Sequence, residues 1–286
     1  MRLLEIRRCP VKSMQGEMPG EVALDVTGVV GDRVYALVDT ETGALASAKD
    51  PRRWAGLLGF SARFECEPGP GRPVTITLPA GGRVSSTHTD VDARLSEAIG
   101  RAVTLTSTPS EGAAYDEVWP DVEGLAPAEF LASLESGQTN EGETVSSNPV
   151  GMLAPGTFQD LAPVTVLTTG SLRAARKLHP DGDWDPRRFR MTMLVETDGD
   201  GFVENDWIGR VLTVGQVRLS VFAPTPRCVM TTLAQPGLPG DRAVLKTVAR
   251  HNRAEFPGVG MFACLGVYAN VESAGTVRAG DTVELG

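Results

Sequence analysis

The chain is short of the residues that build ready-made metal and disulfide sites. Its four cysteines, Cys9, Cys66, Cys228 and Cys264, are scattered over 286 residues with no C-x-x-C pair and only three histidines to join them. That spacing argues against a disulfide framework and a structural zinc site. No apolar run approaches the ~20 residues of a membrane-crossing helix. The opening Leu3-Leu4-Glu5-Ile6-Arg7-Arg8 carries charge too early for a signal peptide, so a cytoplasmic protein with no membrane partner is expected. No G-x-S-x-G elbow, H-E-x-x-H helix or Walker loop occurs, which argues against the commonest hydrolase and nucleotidase readings. A formal net charge of -9 argues against non-specific binding to nucleic acid over the whole surface, and no specific nucleic-acid partner is expected.

Turn residues, by contrast, are plentiful: 32 glycines and 20 prolines suit many short strands joined by turns. Alternation or apolar runs predict strands over Leu3 to Arg7, Glu21 to Val26, Val34 to Val38, Phe60 to Glu65 and Val74 to Leu78. Asp90 and Gly100 bracket a helix with Val91, Leu95 and Ile99 on one face. From Ser107 to Gln159 the pattern dissolves, with one helical piece near Pro127 to Leu134, and reads as a linker or flap. Periodicity returns in strands at Pro163 to Leu167, Phe189 to Val195, Val211 to Val214, Val217 to Phe222, Leu265 to Val271 and Thr276 to Leu285. Helices are expected from Ser171 to Leu178, with Leu172, Ala175 and Leu178 inward, and after an Asp241 cap. The fold class expected is β-dominated α+β: two β-barrel-like domains with a few peripheral helices, divided as 1–108, a linker at 109–159, and 160–286.

One stretch stands out chemically, Ala223-Pro224-Thr225-Pro226-Arg227-Cys228-Val229-Met230-Thr231-Thr232. Pro226 fixes its own φ, and a neighbouring arginine would favour a thiolate, as a soft metal ligand or nucleophile requires. Basic residues cluster at Arg7, Arg8 and Lys12, at Arg52 and Arg53, and at Arg187, Arg188 and Arg190; they read either as solvated charge or as a local anion site. Two formal motifs fail. Gly258-Val259-Gly260-Met261-Phe262-Ala263 matches G-x-G-x-x-A but leads into a strand pattern, so no helix N-terminus would meet a pyrophosphate. Glu196, Asp198, Asp200, Gly201 and Glu204 fit the start of a calcium loop, but Trp207 stands at its last ligand position, and the acids read as solvated.

Taken in order, Cys9-Pro10-Val11-Lys12-Ser13-Met14-Gln15-Gly16, Gly31-Asp32-Arg33, Phe189-Arg190, Pro226-Arg227-Cys228-Val229-Met230-Thr231-Thr232 and Gly280-Asp281-Thr282-Val283 resemble the MOSC-domain proteins. These are named for the C-terminal domain of molybdenum cofactor sulfurase and include the amidoxime-reducing component. The resemblance implies an N-terminal barrel ahead of the MOSC domain and a molybdopterin-type cofactor between them, with Cys228 as metal ligand and catalytic centre. It further implies Lys12, Ser13, Arg33, Thr168, Thr169, Ser171, Arg190, Thr192 and Arg227 around the cofactor. Where relatives read F-R-P-N, this chain has Phe189-Arg190-Met191-Thr192. The activity implied is molybdenum-cofactor-dependent reduction of small N-hydroxylated compounds (amidoximes, hydroxylamines or N-hydroxylated bases), with electrons from a separate donor protein of flavin, haem or iron-sulfur type. The alternatives are a sulfur carrier using a Cys228 persulfide and a non-catalytic molybdopterin-binding or scaffold protein.

Overall fold

The computed structural model describes residues 1–286 and is β-dominated α+β. Its largest sheet runs, strand beside strand, Arg2–Ile6, Met193–Glu196, Val164–Thr168, Gly260–Ser273, Val217–Pro226, Val211–Val214 and Val283–Leu285. The last strand comes back beside the first: Arg2 bridges Thr282, Leu3 N donates to Asp281 O at 2.9 Å and Val283 N to Met1 O at 2.9 Å. Closing the ladder removes its free edges, and twenty buried residues such as Leu3, Val166, Val195, Leu219 and Val267 fill the interior. The long outer face is covered by helices Thr169–Leu178 and Arg242–His251, which bury Leu172, Ala175, Val244, Leu245 and Val248 against Leu167, Leu194 and Leu265.

The remainder of the N-terminal half packs around a second core containing Val11, Met14, Trp54, Leu57, Phe60, Ile76 and Leu95. It holds the sheet Ser61–Phe64, Val74–Thr77, Arg83–Ser85, the helix Val91–Ile99 and the pair Ala36–Asp39 with Val103–Thr106. The chain crosses between the two halves more than the sequence suggested. Arg2–Ile6 belongs to the C-terminal barrel, and Glu21–Asp25 pairs with Gly275–Arg278, because the barrel needs the first strand to close.

Several local expectations change. The stretch read as a linker contains a three-stranded sheet of Ala114–Trp119, Thr144–Pro149 and Glu135–Gln138 behind helix Ala128–Leu134, and Leu45 bridges Tyr115 to tie it to the N-terminal half. Gly100 ends its helix at φ 76°, as expected, but Asp90 makes no capping bond; Asp92 instead accepts from Leu105 N at 2.8 Å. Leu178 is 43% exposed, because its helix turns it off the core. Phe189 closes a 3-10 turn, Pro186–Phe189, so the strand expected there starts only at Met193. Gly280, at φ 99°, and Asp281, accepting from Arg278 N at 2.7 Å, fold a turn that splits the last strand in two.

Candidate functional site

The loop Cys9 to Gly16 delivers Lys12 and Ser13 to the junction of the two halves. Its neck is closed by reciprocal backbone bonds between Arg8 and Glu17, at 3.1 and 2.9 Å. Gly16 is required there, since a Cβ would lie 2.0 Å from Arg8 O. The loop is then zipped onto Asp32 to Tyr35: Cys9 N donates to Asp32 Oδ1 at 2.6 Å, Arg33 N to Cys9 O at 2.8 Å and Lys12 N to Tyr35 O at 2.8 Å. From the opposite side, strand Val217–Pro226 runs out at Pro226, and Arg227 N still bonds Ala263 O at 2.8 Å. Cys228 opens the 3-10 turn Val229–Thr232, its carbonyl accepting from Thr231 N and Oγ1 at 3.2 and 3.0 Å.

Between these elements lies a narrow cleft, open to solvent, with the half-buried Cys228 on its wall. Six cationic side chains line it, Lys12, Arg33, Lys49, Arg188, Arg190 and Arg227, against one carboxylate, Asp160. In a chain of net charge -9 that concentration marks an anion site. The backbone agrees. Only three residues other than glycine hold a positive φ, Ser13 at 64°, Arg33 at 50° and Arg190 at 52°, and all three line this cleft. Left-handed backbone costs an L-residue about 1–2 kcal/mol, and strain gathered at one site is characteristic of function.

Arg227 is 6% exposed and has no carboxylate partner. Its Nη1 donates to Phe189 O at 2.9 Å, its Nη2 to Met191 Sδ at 3.2 Å and its Nε to Thr225 O at 3.3 Å, while burial lowers its pKa. Arg190 likewise has a carbonyl, Met14 O at 2.9 Å, and no acid. Thr225 adds a buried hydroxyl oxygen with no partner. Buried charge without a counter-ion is costly unless a ligand completes it. By contrast, the Arg33 guanidinium is paired with Asp32, and Lys12 donates to Asp160 and to Phe158 O at 3.1 Å.

Around Cys228 the chemistry differs from the sequence expectation. Burial pushes the thiol pKa up, and the cation acting against that shift is Lys49 rather than Arg227. Lys49 Nζ reaches Tyr115 Oη at 3.1 Å, Glu117 Oε2 at 3.2 Å and Asp160 Oδ2 at 3.2 Å. Burial acts to discharge it, but Asp160 and Glu117 hold its pKa well above the ordinary value. Burial likewise acts on Asp160, yet Lys12 and Lys49 keep its carboxyl far below the usual range. The free thiol is therefore protonated near neutrality, and a metal would take it by displacing the proton.

Of the residues expected from the sequence, Lys12, Ser13, Arg33, Arg190, Thr192, Arg227 and Cys228 meet in this one cleft. Thr192 lines it while bonded to Thr165, Oγ1 to Oγ1 at 3.1 Å. Thr168, Thr169 and Ser171 do not line it. Thr168 caps the helix Thr169–Leu178, Glu204 Oε2 accepts from Thr168 Oγ1 at 2.8 Å and from Ser171 Oγ at 2.6 Å, and Thr169 Oγ1 donates instead to Thr197 O at 3.4 Å. Glu204 is 0% exposed, so it is not the solvated acid the calcium-loop reading assumed. Lys49, Tyr115, Glu117, Asp160 and Tyr268 had no sequence signal: Ala48-Lys49-Asp50-Pro51 carries no motif, and the acidic stretch beyond Ser107 read as a linker or flap. The other arginines pair away from the cleft: Arg52 with Asp50 and Arg187 with Asp185 locally, and Arg53 with Asp116 across 63 residues. Cys9 faces a neighbouring cleft, which shares Arg190 as a wall.

The protein provides one thiol and no group of three histidine, cysteine or acidic side chains able to hold a metal by itself. A metal here must therefore bring other ligands with it. The residues present fit a sulfur-chelated metal on an anionic cofactor, to which the protein would add Cys228 and basic donors. No helix is long and apolar enough to cross a membrane. The family model for the MOSC domain matches residues 155–284. Among solved structures, the YuaD protein of Bacillus subtilis is 9% identical, with 99% of this chain and 94% of that one covered at a TM-score of 0.45. YiiM of Geobacillus stearothermophilus is 16% identical over 44% of this chain and 54% of that one, at a TM-score of 0.30. The chain thus spans about half of YiiM. No curated protein matches the sequence.

Proposed function

Residues 155–284 of this chain are a MOSC domain, and from that premise we propose that the protein is a molybdenum-cofactor-dependent reductase of N-hydroxylated compounds. The observation that carries the proposal is the cleft around Cys228, with Arg190 and Arg227 left without acids. Arg227, Arg190, Arg33 and Lys12 would hold the cofactor's anionic groups by charge-assisted hydrogen bonds, with Ser13, Thr192 and Thr225 adding hydroxyls. Cys228 would bind the metal as thiolate, and its partial exposure leaves that side open to a small substrate. When bound, the cofactor supplies the two-electron couple for taking oxygen from an N–O group, a reduction that consumes two protons and releases water. Lys49, held as an ammonium by Asp160 and Glu117, keeps positive potential beside the thiolate. The electrons would come from a separate donor protein.

The test is to purify the protein from a host that makes the cofactor and to assay benzamidoxime reduction with an artificial donor. Activity lost in Cys228→Ser supports the proposal. A +32 mass shift on Cys228, with neither molybdenum nor pterin, would instead establish the sulfur-carrier reading.

A further inference from the structure

We propose that Asp160 is the selectivity element of this cleft, an internal counter-ion standing where a ligand's anionic group must bind, so that the site accepts a dianionic phosphate monoester and rejects monoanions. The inference rests on reading the cleft as an anion site. Asp160 is the one carboxylate among the lining residues. Its two oxygens are divided between two lysines from different parts of the chain, Oδ1 accepting from Lys12 Nζ and Oδ2 from Lys49 Nζ at 3.2 Å. No other side chain or backbone group bonds it. It sits on the irregular segment between Gln159 and the strand at Val164, and its side chain is 37% exposed to the cleft, so it can turn away without unfolding anything.

The two lysines differ from Arg190 and Arg227. Those arginines have only carbonyl and sulfur partners and give up no acid when an anion arrives. Lys12 and Lys49 must first release Asp160. A monoanion offers them one negative charge for the one displaced, so the exchange gains little and the anion's own desolvation is uncompensated. If Asp160 stays, the newcomer meets a like charge at hydrogen-bond range. A phosphate monoester dianion brings two charges and three acceptor oxygens, enough to replace Asp160 on the lysines and still engage guanidinium groups that have no acid partner. Selectivity thus comes from a repulsive group built into an attractive site.

The experiment titrates the purified, cofactor-free chain calorimetrically with phenyl phosphate and phenyl sulfate at pH 8, probes of matched shape that are a dianion and a monoanion there. The wild type is expected to bind phenyl phosphate, with phenyl sulfate at least about tenfold weaker. In Asp160→Asn the sulfate affinity should rise by about tenfold and the ratio narrow to about threefold or less. Asp160→Glu should keep the discrimination. Weaker binding of both probes by Asp160→Asn, with an unchanged melting temperature, would overturn the inference, since the carboxylate would then be positioning the lysines. An unchanged ratio would overturn it too. If the wild type binds neither probe and Arg227→Met behaves identically, the anion-site reading itself fails and takes this inference with it.

Discussion

Replacing Arg190 separately by alanine and by glycine isolates the strained backbone from the charge it carries. Arg190 holds φ 52° and donates to Met14 O at 2.9 Å. Either substitution deletes that charged-donor bond, a loss of about 1.5–3 kcal/mol. Alanine keeps the left-handed cost of about 1–2 kcal/mol. Glycine escapes that cost but loses about 0.5–1 kcal/mol more chain entropy on folding. The glycine variant should therefore be the more stable of the two by about 0.5–1 kcal/mol, the reverse of the order in an ordinary helix interior. For a chain of this size that is roughly 2 °C in melting temperature. Urea denaturation of the cofactor-free protein at equal m-values measures the difference, and phenyl phosphate titration measures the charge. Both variants should lose at least about tenfold in anion affinity, the loss of one charge-assisted bond. An alanine variant as stable as the glycine one would refute the idea of strain held at this position. Retained binding in either would remove Arg190 from the site.

Three further outcomes follow from the same geometry. Burial raises the Glu204 pKa, so the folded state prefers the neutral acid, and stability should fall as pH rises from the unfolded value through the folded one. Glu204→Gln keeps an acceptor for Thr168 and Ser171, and its stability relative to wild type should improve from pH 4 to pH 7 in chemical denaturation; a parallel offset would contradict this. Asp241 Oδ1 accepts from Ala243 N at 2.8 Å at the start of helix Arg242–His251, and Asp241→Ala should cost about 1 kcal/mol without changing anion binding. Lys49→Met leaves Glu117 buried with only Asn148 Nδ2 at 3.3 Å, so the variant should be destabilised by about 3 kcal/mol at neutral pH, and less in acid, where Glu117 is neutral.

The fold was legible where periodicity and punctuation coincide. Leu95 between Asp90 and Gly100, and Val244, Leu245 and Val248 behind Asp241, marked their helices because one buried stripe and one cap suffice. Thr144–Pro149 was not legible: its residues are Thr, Val, Ser, Ser, Asn and Pro, and the pairing with Ala114–Trp119 supplies the apolar partners. Pairing of Arg2–Ile6 with Met193–Glu196 is a long-range closure that no local pattern reports. In the site, Cys228, Lys12, Arg33 and Arg190 were legible because each lies in one of the short, ordered blocks that resemble the MOSC-domain proteins. Lys49 and Asp160 come from turns of no distinctive composition, and only the folded chain brings them together on one salt bridge. Thr168 to Ser171 was assigned to the cleft, but the hydroxyls of Thr168 and Ser171 are occupied by buried Glu204 and that of Thr169 by Thr197 O.

Elemental and pterin analysis of protein freshly isolated from a cofactor-producing host bears on the central claim most directly. Near-equimolar molybdenum with pterin fluorescence, both absent from Cys228→Ser and both depleted in Arg227→Met, is the predicted result. Protein that is folded and carries neither metal nor pterin, while the host's other molybdenum enzymes are loaded, would contradict it.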